Sequence, residues 1–198
     1  MSDIQVLNLS KSFDGRSVLN GFSATFKDGS TTCIMGVSGR GKTTLLNLIS
    51  GLLKPDCGTV SGVPENISFV FQEDRLCENF SAEANIRLVT GKTMSSAEIL
   101  SHLKELGLEN SSEQPVRSLS GGMKRRVAIA RAICYPSGLL LLDEPFKGLD
   151  EALREETIAY IQRHRANRTI ICVTHDPLEA KLLNADLIYL EEDKNDEN

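Results

Sequence analysis

Residues Gly36-Val37-Ser38-Gly39-Arg40-Gly41-Lys42-Thr43 have the form G-x-x-x-x-G-K-[ST]. Their flanks decide what that form means. Thr31-Thr32-Cys33-Ile34-Met35 is short, β-branched or apolar, and closed by glycine, the pattern of a buried strand. From Lys42 onward the pattern is helical, with Leu45, Leu48 and Ile49 on one face. A strand, a glycine loop and a helix in that order aim loop N–H groups and a helix N-terminus at one anion. Glycines let the backbone close around it because they lack a Cβ. Lys42 adds a mobile positive charge for β- and γ-phosphates; at ~4 Å and an effective dielectric near 20, one such charge pair is on the order of 4 kcal/mol. Thr43 offers a hydroxyl to magnesium. The expected ligand is a nucleoside triphosphate with Mg2+; an ordinary glycine turn is the bland alternative.

The chain has 198 residues, about one domain's length. Aromatics are sparse and tryptophan is absent, so aliphatic residues must fill the core, as in α/β proteins with buried parallel strands. A net charge of −5 argues against a nucleic-acid partner. The five cysteines, Cys33, Cys57, Cys77, Cys134 and Cys172, are scattered and odd in number. We read them as small buried hydrophobes of a reducing cytosol rather than a disulfide framework. The acidic start gives no signal peptide, and no apolar run approaches the ~18 residues of a membrane span. The charged stretch 191–198 reads as a frayed tail.

Ile4 to Leu9 alternates like a half-exposed strand, Asp14-Gly15 signals a turn, and Val18 to Phe26 is again extended. These predict an antiparallel β lobe before the phosphate loop. Lys54 to Gly58 reads as a turn and Ile67 to Phe71 as a strand. Residues 81–107 read as helical, with Ile99, Leu100, Leu103 and Leu106 on one face, and Ser111 to Pro115 as a polar connector. A helix is expected from Ser120 to Cys134, striped by Met123, Val127, Ala130 and Cys134. Then come strand (138–143), helix (150–165), strand (169–174), helix (177–183) and strand (187–190). The alternation predicts an α/β fold with a mostly parallel sheet covered on both faces. We expect one domain over 1–198, with a catalytic core at 1–80 and 119–190 and an inserted helical subdomain at about 81–118.

Two further segments carry chemistry. Leu139 to Leu142 runs into Asp143-Glu144-Pro145, an apolar strand ending in two carboxylates. Parallel sheets bind ligands beyond the carboxyl ends of their strands. Neighbouring residues face opposite ways, so Asp143 and Glu144 can divide the work, one supporting magnesium and the other facing the γ-phosphate and a water. Leu119-Ser120-Gly121-Gly122-Met123 opens a helix with a good N-cap and bare glycine N–H groups, a second anion site or a plain cap. The basic group Lys124-Arg125-Arg126 reads as a solvated helix face, and His102 and His164 as surface residues.

Five motifs then stand in a shared order: residues 36–43; Gln72 in Val70-Phe71-Gln72-Glu73-Asp74; 119–123; Leu142 to Pro145 with Gly148-Leu149-Asp150; and His175 in Val173-Thr174-His175-Asp176. The set resembles the ATP-binding cassette (ABC) transporter ATPases, a P-loop NTPase family, across nearly the whole chain. The resemblance implies ATP and Mg2+ as cofactors and a head-to-tail dimer of cassettes. The Ser120-Gly121-Gly122 helix of one copy would cap the γ-phosphate held by the other. It implies phosphate contacts from Gly36, Val37, Ser38, Gly39, Arg40, Gly41, Lys42, Thr43 and Thr44. Thr43, Gln72 and Asp143 would serve the metal, Glu144 would be the catalytic carboxylate, and His175 the switch histidine at the γ-phosphate. Phe13 would stack on adenine, and Asp150 would lie in the loop bridging the cassettes.

Met123 stands where the family most often has glutamine. With 71–76 and Asp143-Glu144-Pro145-Phe146, it makes the chain look like importers of the nitrate, sulfonate and taurine group. The implied partners are a transmembrane permease and a separate solute-binding protein, with no nucleic acid. The implied location is the cytoplasmic face of the membrane, held there through the permease. The chain ends soon after the last strand, so no C-terminal regulatory domain is expected. Rival readings are a cassette ATPase outside transport and a protein whose nucleotide binding only gates a partner.

Overall fold

The computed structural model describes residues 2–37 and 39–190. Ser38 and the tail 191–198, named above as a phosphate-loop residue and a frayed end, lie outside the described residues.

Strand β1 (Ile4–Phe13) buries Ile4, Val6 and Leu9 and exposes the residues between. Its alternation slips at Asn8, which has φ 49° where the register with the next strand shifts. Asp14 (φ 49°) and Gly15 (φ 79°) are both left-handed, the tight hairpin turn that Asp-Gly favours. The turn leads into β2 (Arg16–Phe26). These two strands form an antiparallel sheet with a third, β4 (Cys57–Ser61), in the order β2-β1-β4. The last partner corrects the expectation of a turn through 54–58, because Cys57 and Gly58 already belong to the strand. Four of the five residues of β4 are exposed, so it has no alternating pattern to read.

The second sheet contains β5 (Ile67–Val70), β6 (Leu139–Asp143), β7 (Thr169–Val173), β3 (Thr31–Met35) and β8 (Asp186–Tyr189), in that spatial order and parallel throughout. Every residue of β3, β6 and β7 is buried. The leucines of β6 split between two cores. Leu140 and Leu142 pack with Val127 and Ile129 of the helix that follows Ser120. Leu139 and Leu141 pack with Leu45 and Leu46 and with Val6 and Leu9 of β1. Each fully buried leucine contributes roughly 1.5–3 kcal/mol relative to exposure.

The helices are α1 (Lys42–Ile49), α2 (Ala82–Thr90), α3 (Ser96–Glu105), α4 (Gly121–Cys134), α5 (Glu151–His164) and α6 (Pro177–Leu182). The helical stretch 81–107 is divided between α2 and α3. Ser81 caps α2 by accepting from the Ala84 N–H at 3.1 Å, and Ser95 with Glu98 closes a capping box on α3. Ile99, Leu103 and Leu106 are buried, but Leu100 is 38% exposed and leaves the expected face. The connector at 111–115 is polar in composition, yet Ser111 and Ser112 are buried; the Ser112 carbonyl accepts from the Glu83 N–H at 3.1 Å. No helix among the described residues is long and apolar enough to cross a membrane.

Two further expectations need correcting. All five cysteines are free, but only Cys33 and Cys172 are buried; Cys57 and Cys77 are exposed and Cys134 lies between. The exposed pair sits on an outward-facing strand and in a loop, where burial is not offered. His102 and His164 are not isolated surface residues. The C-terminal turns of α3 and α5 meet there, their imidazoles lie 4.6 Å apart, and His102 Nδ1 is 2.9 Å from the Tyr160 hydroxyl.

Candidate functional site

Four adjacent strands, in the order β5-β6-β7-β3, end on one edge of the parallel sheet. The segments leaving that edge carry Gln72, Asp143-Glu144, His175 and the phosphate loop respectively. The sheet therefore gathers residues that are far apart in sequence.

The loop is shaped by Gly41, which has φ 78°; a Cβ there would lie 2.7 Å from the Val18 carbonyl oxygen. No other residue type fits without moving β2. Gly41 caps α1 without a side-chain hydrogen bond, and the first turn of α1 has no acidic residue of its own. Lys42 is buried and donates to the Gly36 carbonyl at 2.7 Å and the Val37 carbonyl at 2.8 Å. An ammonium has three donors, so one remains for a ligand.

Asp143 is 2% exposed at the end of β6. Burial pushes its carboxyl pKa up, while a hydrogen bond from the Thr43 hydroxyl restrains the shift; Glu144 raises it further and Lys42 and Arg125 lower it. Glu144 follows with φ 45°, a left-handed conformation that costs a non-glycine residue about 1 kcal/mol or more. Its N–H donates to the Val173 carbonyl at 3.0 Å. Its carboxylate lies 3.5 Å from Lys147 Nζ and 4.0 Å from His175 Nδ1. The kink turns the side chain into a cavity of about 240 Å³ also lined by Gly39, Gly41, Lys42, Thr43, Thr44 and Gln72. One pocket therefore combines an anion cradle, a cation, hard oxygen donors and a carboxylate.

Other expected residues lie outside that lining. Phe13 ends β1 opposite Arg16 and is 42% exposed, with Lys11 Nζ 5.5 Å from its ring centroid. Val18, two residues beyond Arg16, does line the cavity, so Phe13 stands on the bordering hairpin. Ser120 caps α4, accepting from the Met123 N–H at 3.3 Å. Gly122 packs against Leu149, whose Cδ2 would be 3.2 Å from an added Cβ. Asp150 caps α5 through the Leu153 N–H at 2.9 Å. Ser120, Gly121, Gly122 and Asp150 thus belong to a second patch, away from the cavity of their own chain.

The basic group was misjudged. Arg125 and Arg126 are only 6% and 8% exposed. Arg125 donates to the Phe71 carbonyl at 2.6 Å and to the Gln72 carbonyl, and its Nε lies 3.3 Å from Asp74 Oδ1. Arg126 donates to the Leu106 carbonyl and, at 3.2 Å, to that of Gly122. Arg125 is therefore the clamp that positions the Gln72 segment. One signal was available: Ala128, Ile129, Ala132 and Ile133 extend the apolar surface beyond one stripe, which marks α4 as buried nearly all round. Arg154 and Glu179 were also missed. Asp176 pairs with Arg154 at 2.9 Å and the Thr174 hydroxyl donates to Glu179, which fixes both neighbours of His175.

A model of the ABC transporter family matches residues 19–147. The chain belongs to that family. The aliphatic sulfonates import ATP-binding protein SsuB 1 of Nocardia farcinica is 38% identical over 193 residues, covering 95% of this chain and 78% of the relative. The spermidine/putrescine import ATP-binding protein PotA of Fusobacterium nucleatum is 36% identical over 90% of this chain. The chain spans 52% of that relative's length. Among solved structures, a dimeric bacterial ABC transporter cassette superposes with a TM-score of 0.83 at 29% identity, covering 94% of this chain and 93% of that one. This ABC cassette thus has the P-loop NTPase fold, with the antiparallel sheet added beside the parallel one.

Proposed function

We propose that this chain is the ATP-hydrolysing subunit of an ABC importer for a small solute, acting as a pair of cassettes beneath a separate membrane permease. The observation that carries the reading is the division of the site into two patches. The phosphate loop, Glu144 and Gln72 converge on one cavity, with Asp143 buried beside it against Thr43, while the α4 N-terminus at Ser120 to Gly122 lies outside that lining. A second copy placed head to tail would bring that patch to the terminal phosphate. The dimeric cassette relative and the importer names of the curated relatives support the same arrangement. Residues 81–118, which carry α2 and α3 against α4, would be the helical subdomain that presents this patch.

In this reading Gly36, Val37, Gly39, Arg40, Gly41, Lys42 and Thr44 hold the phosphates and Phe13 stacks on the base. Thr43, Asp143 and the Gln72 amide supply hard oxygen donors, which suit Mg2+. The ion, when bound, neutralises charge on the β- and γ-oxygens. Glu144 orients a water and accepts its proton, held by the backbone kink at a fixed place beside His175. ATP and water become ADP and phosphate. Positioning and charge account for most of the rate gain, since the loose phosphoryl-transfer state needs little covalent help. His175 contacts the γ-phosphate, and Asp150 lies at the contact between copies.

Glu144→Gln is the decisive variant. ATP binding should persist, hydrolysis should fall by ~10²–10⁴-fold, and Mg-ATP should convert the protein to a dimer on sizing. Normal turnover would remove Glu144 from its role, and a monomer at saturating ATP would remove the shared site.

A further inference from the structure

Outside the nucleotide site, His102 and Glu105 from the last turns of α3 meet His164 at the end of α5. One donor atom from each lies within 4.8 Å of the others. His102 and Glu105 are three apart on one helix face, and His164 arrives from an element nearly sixty positions later. From this geometry we infer a transition-metal site, a His₂Glu clip for a zinc-type divalent ion that ties α3 to α5. Two imidazoles and one carboxylate, with a fourth position open to water, are a donor set zinc accepts in tetrahedral geometry.

A second observation concerns orientation. Tyr160 is 1% exposed, and its hydroxyl lies 2.9 Å from His102 Nδ1. In the tautomer whose Nδ1–H donates to that hydroxyl, Nε2 of His102 is left to ligate and the ring is fixed, the arrangement that metal-binding histidines use. His164 Nε2 lies 3.0 Å from both carboxylate oxygens of Glu105, a hydrogen bond that a bound ion would replace by taking the nitrogen in its unprotonated form. Arg163 is the competitor, paired with Glu105. Its side chain is 58% exposed, so it can turn into water at little cost.

The test uses full-length protein carrying Cys57→Ser and Cys77→Ser, so that exposed thiols do not bind metal. Nucleotide-free protein is titrated with Co2+ and then with Zn2+. One equivalent should bind, with the visible absorption of tetrahedral nitrogen–oxygen cobalt and no thiolate charge-transfer band. Zinc should displace it and raise the melting temperature. His164→Ala should weaken binding at least 100-fold, and Tyr160→Phe by about 10–100-fold. No saturable binding, binding unchanged in His164→Ala, or an octahedral spectrum would each overturn the site. The readout is independent of ATP turnover, so it stands or falls separately from the ATPase reading.

Discussion

At the residue scale, the two adjacent carboxylates differ because the backbone treats them differently. Asp143 completes a buried strand and shares a hydrogen bond with Thr43, whereas Glu144 is turned by its left-handed φ into the cavity. Burial raises the Asp143 pKa, so the folded state holds its proton more tightly than the unfolded chain. Stability from this group is therefore greatest at low pH and is lost as pH rises from its unfolded value, near 3.9, through the folded one. Asp143→Asn should remove that loss. Nucleotide-free Asp143→Asn should melt above the wild type at neutral pH, with the gap closing as pH falls toward 4. Mg-ATP should reverse the order by stabilising only the wild type. Paired thermal melts across pH check this, and a wild type that melts higher without ligand would refute it.

At the element scale, α4 does more than present Ser120. Its Arg125 ties the backbone after β5 to the helix, and Asp74 sits in that pair with its pKa raised mainly by burial. Removing one partner of a buried pair costs about 3–5 kcal/mol. Arg125→Met should therefore destabilise the protein by roughly 2–4 kcal/mol, since Asp74 is partly wet. Where it still folds, kcat should fall more than KM rises, because the Gln72 segment loses its anchor while the phosphate loop does not. Chemical denaturation and steady-state kinetics separate the two effects. Most elements were readable in the sequence, because β3, β6 and β7 are unbroken apolar runs and α2, α3 and α4 start at serine caps. The failures share one cause. β4 has almost no buried face, Leu100 lies one position off the buried row, and Arg125 and Arg126 find their partners in backbone carbonyls. Side-chain patterning hides the first two; for the arginines it shows that α4 is buried nearly all round but not which carbonyls they meet. The phosphate loop and the acid pair were legible because their chemistry is local; the arginine clamp and the histidine pair were not, because their partners come from distant segments.

At the scale of the whole molecule, an apolar groove of about 440 Å³ lies beside the Gln72 segment, lined by Leu52, Phe69, Phe71, Val89 and Tyr135 among others. Leu52 is 59% exposed and Val89 36%. Under the proposed function this groove would receive the permease, since Phe71 lines it and the adjacent Gln72 lines the cavity. Leu52→Glu with Val89→Glu should leave ATP hydrolysis by the isolated cassette within about twofold of normal and abolish co-purification with the permease. Retained capture would place the docking surface elsewhere. Under the same reading, a change at the nucleotide would pass to the groove through Gln72 and its neighbour Phe71, which line the cavity and the groove respectively.

The position of β3 has a consequence for how the protein is made. That strand supports the phosphate loop, yet its two neighbours are β7 and β8, and the Leu190 N–H bonds to the Met35 carbonyl at 2.8 Å. A ribosome finishes the glycine loop early but must continue to residue 190 before its strand is flanked on both sides. At ~5–20 residues per second this is a delay of roughly 7–30 s. During it the nascent chain has the letters of a nucleotide site without the two strands that flank its supporting strand in the finished sheet.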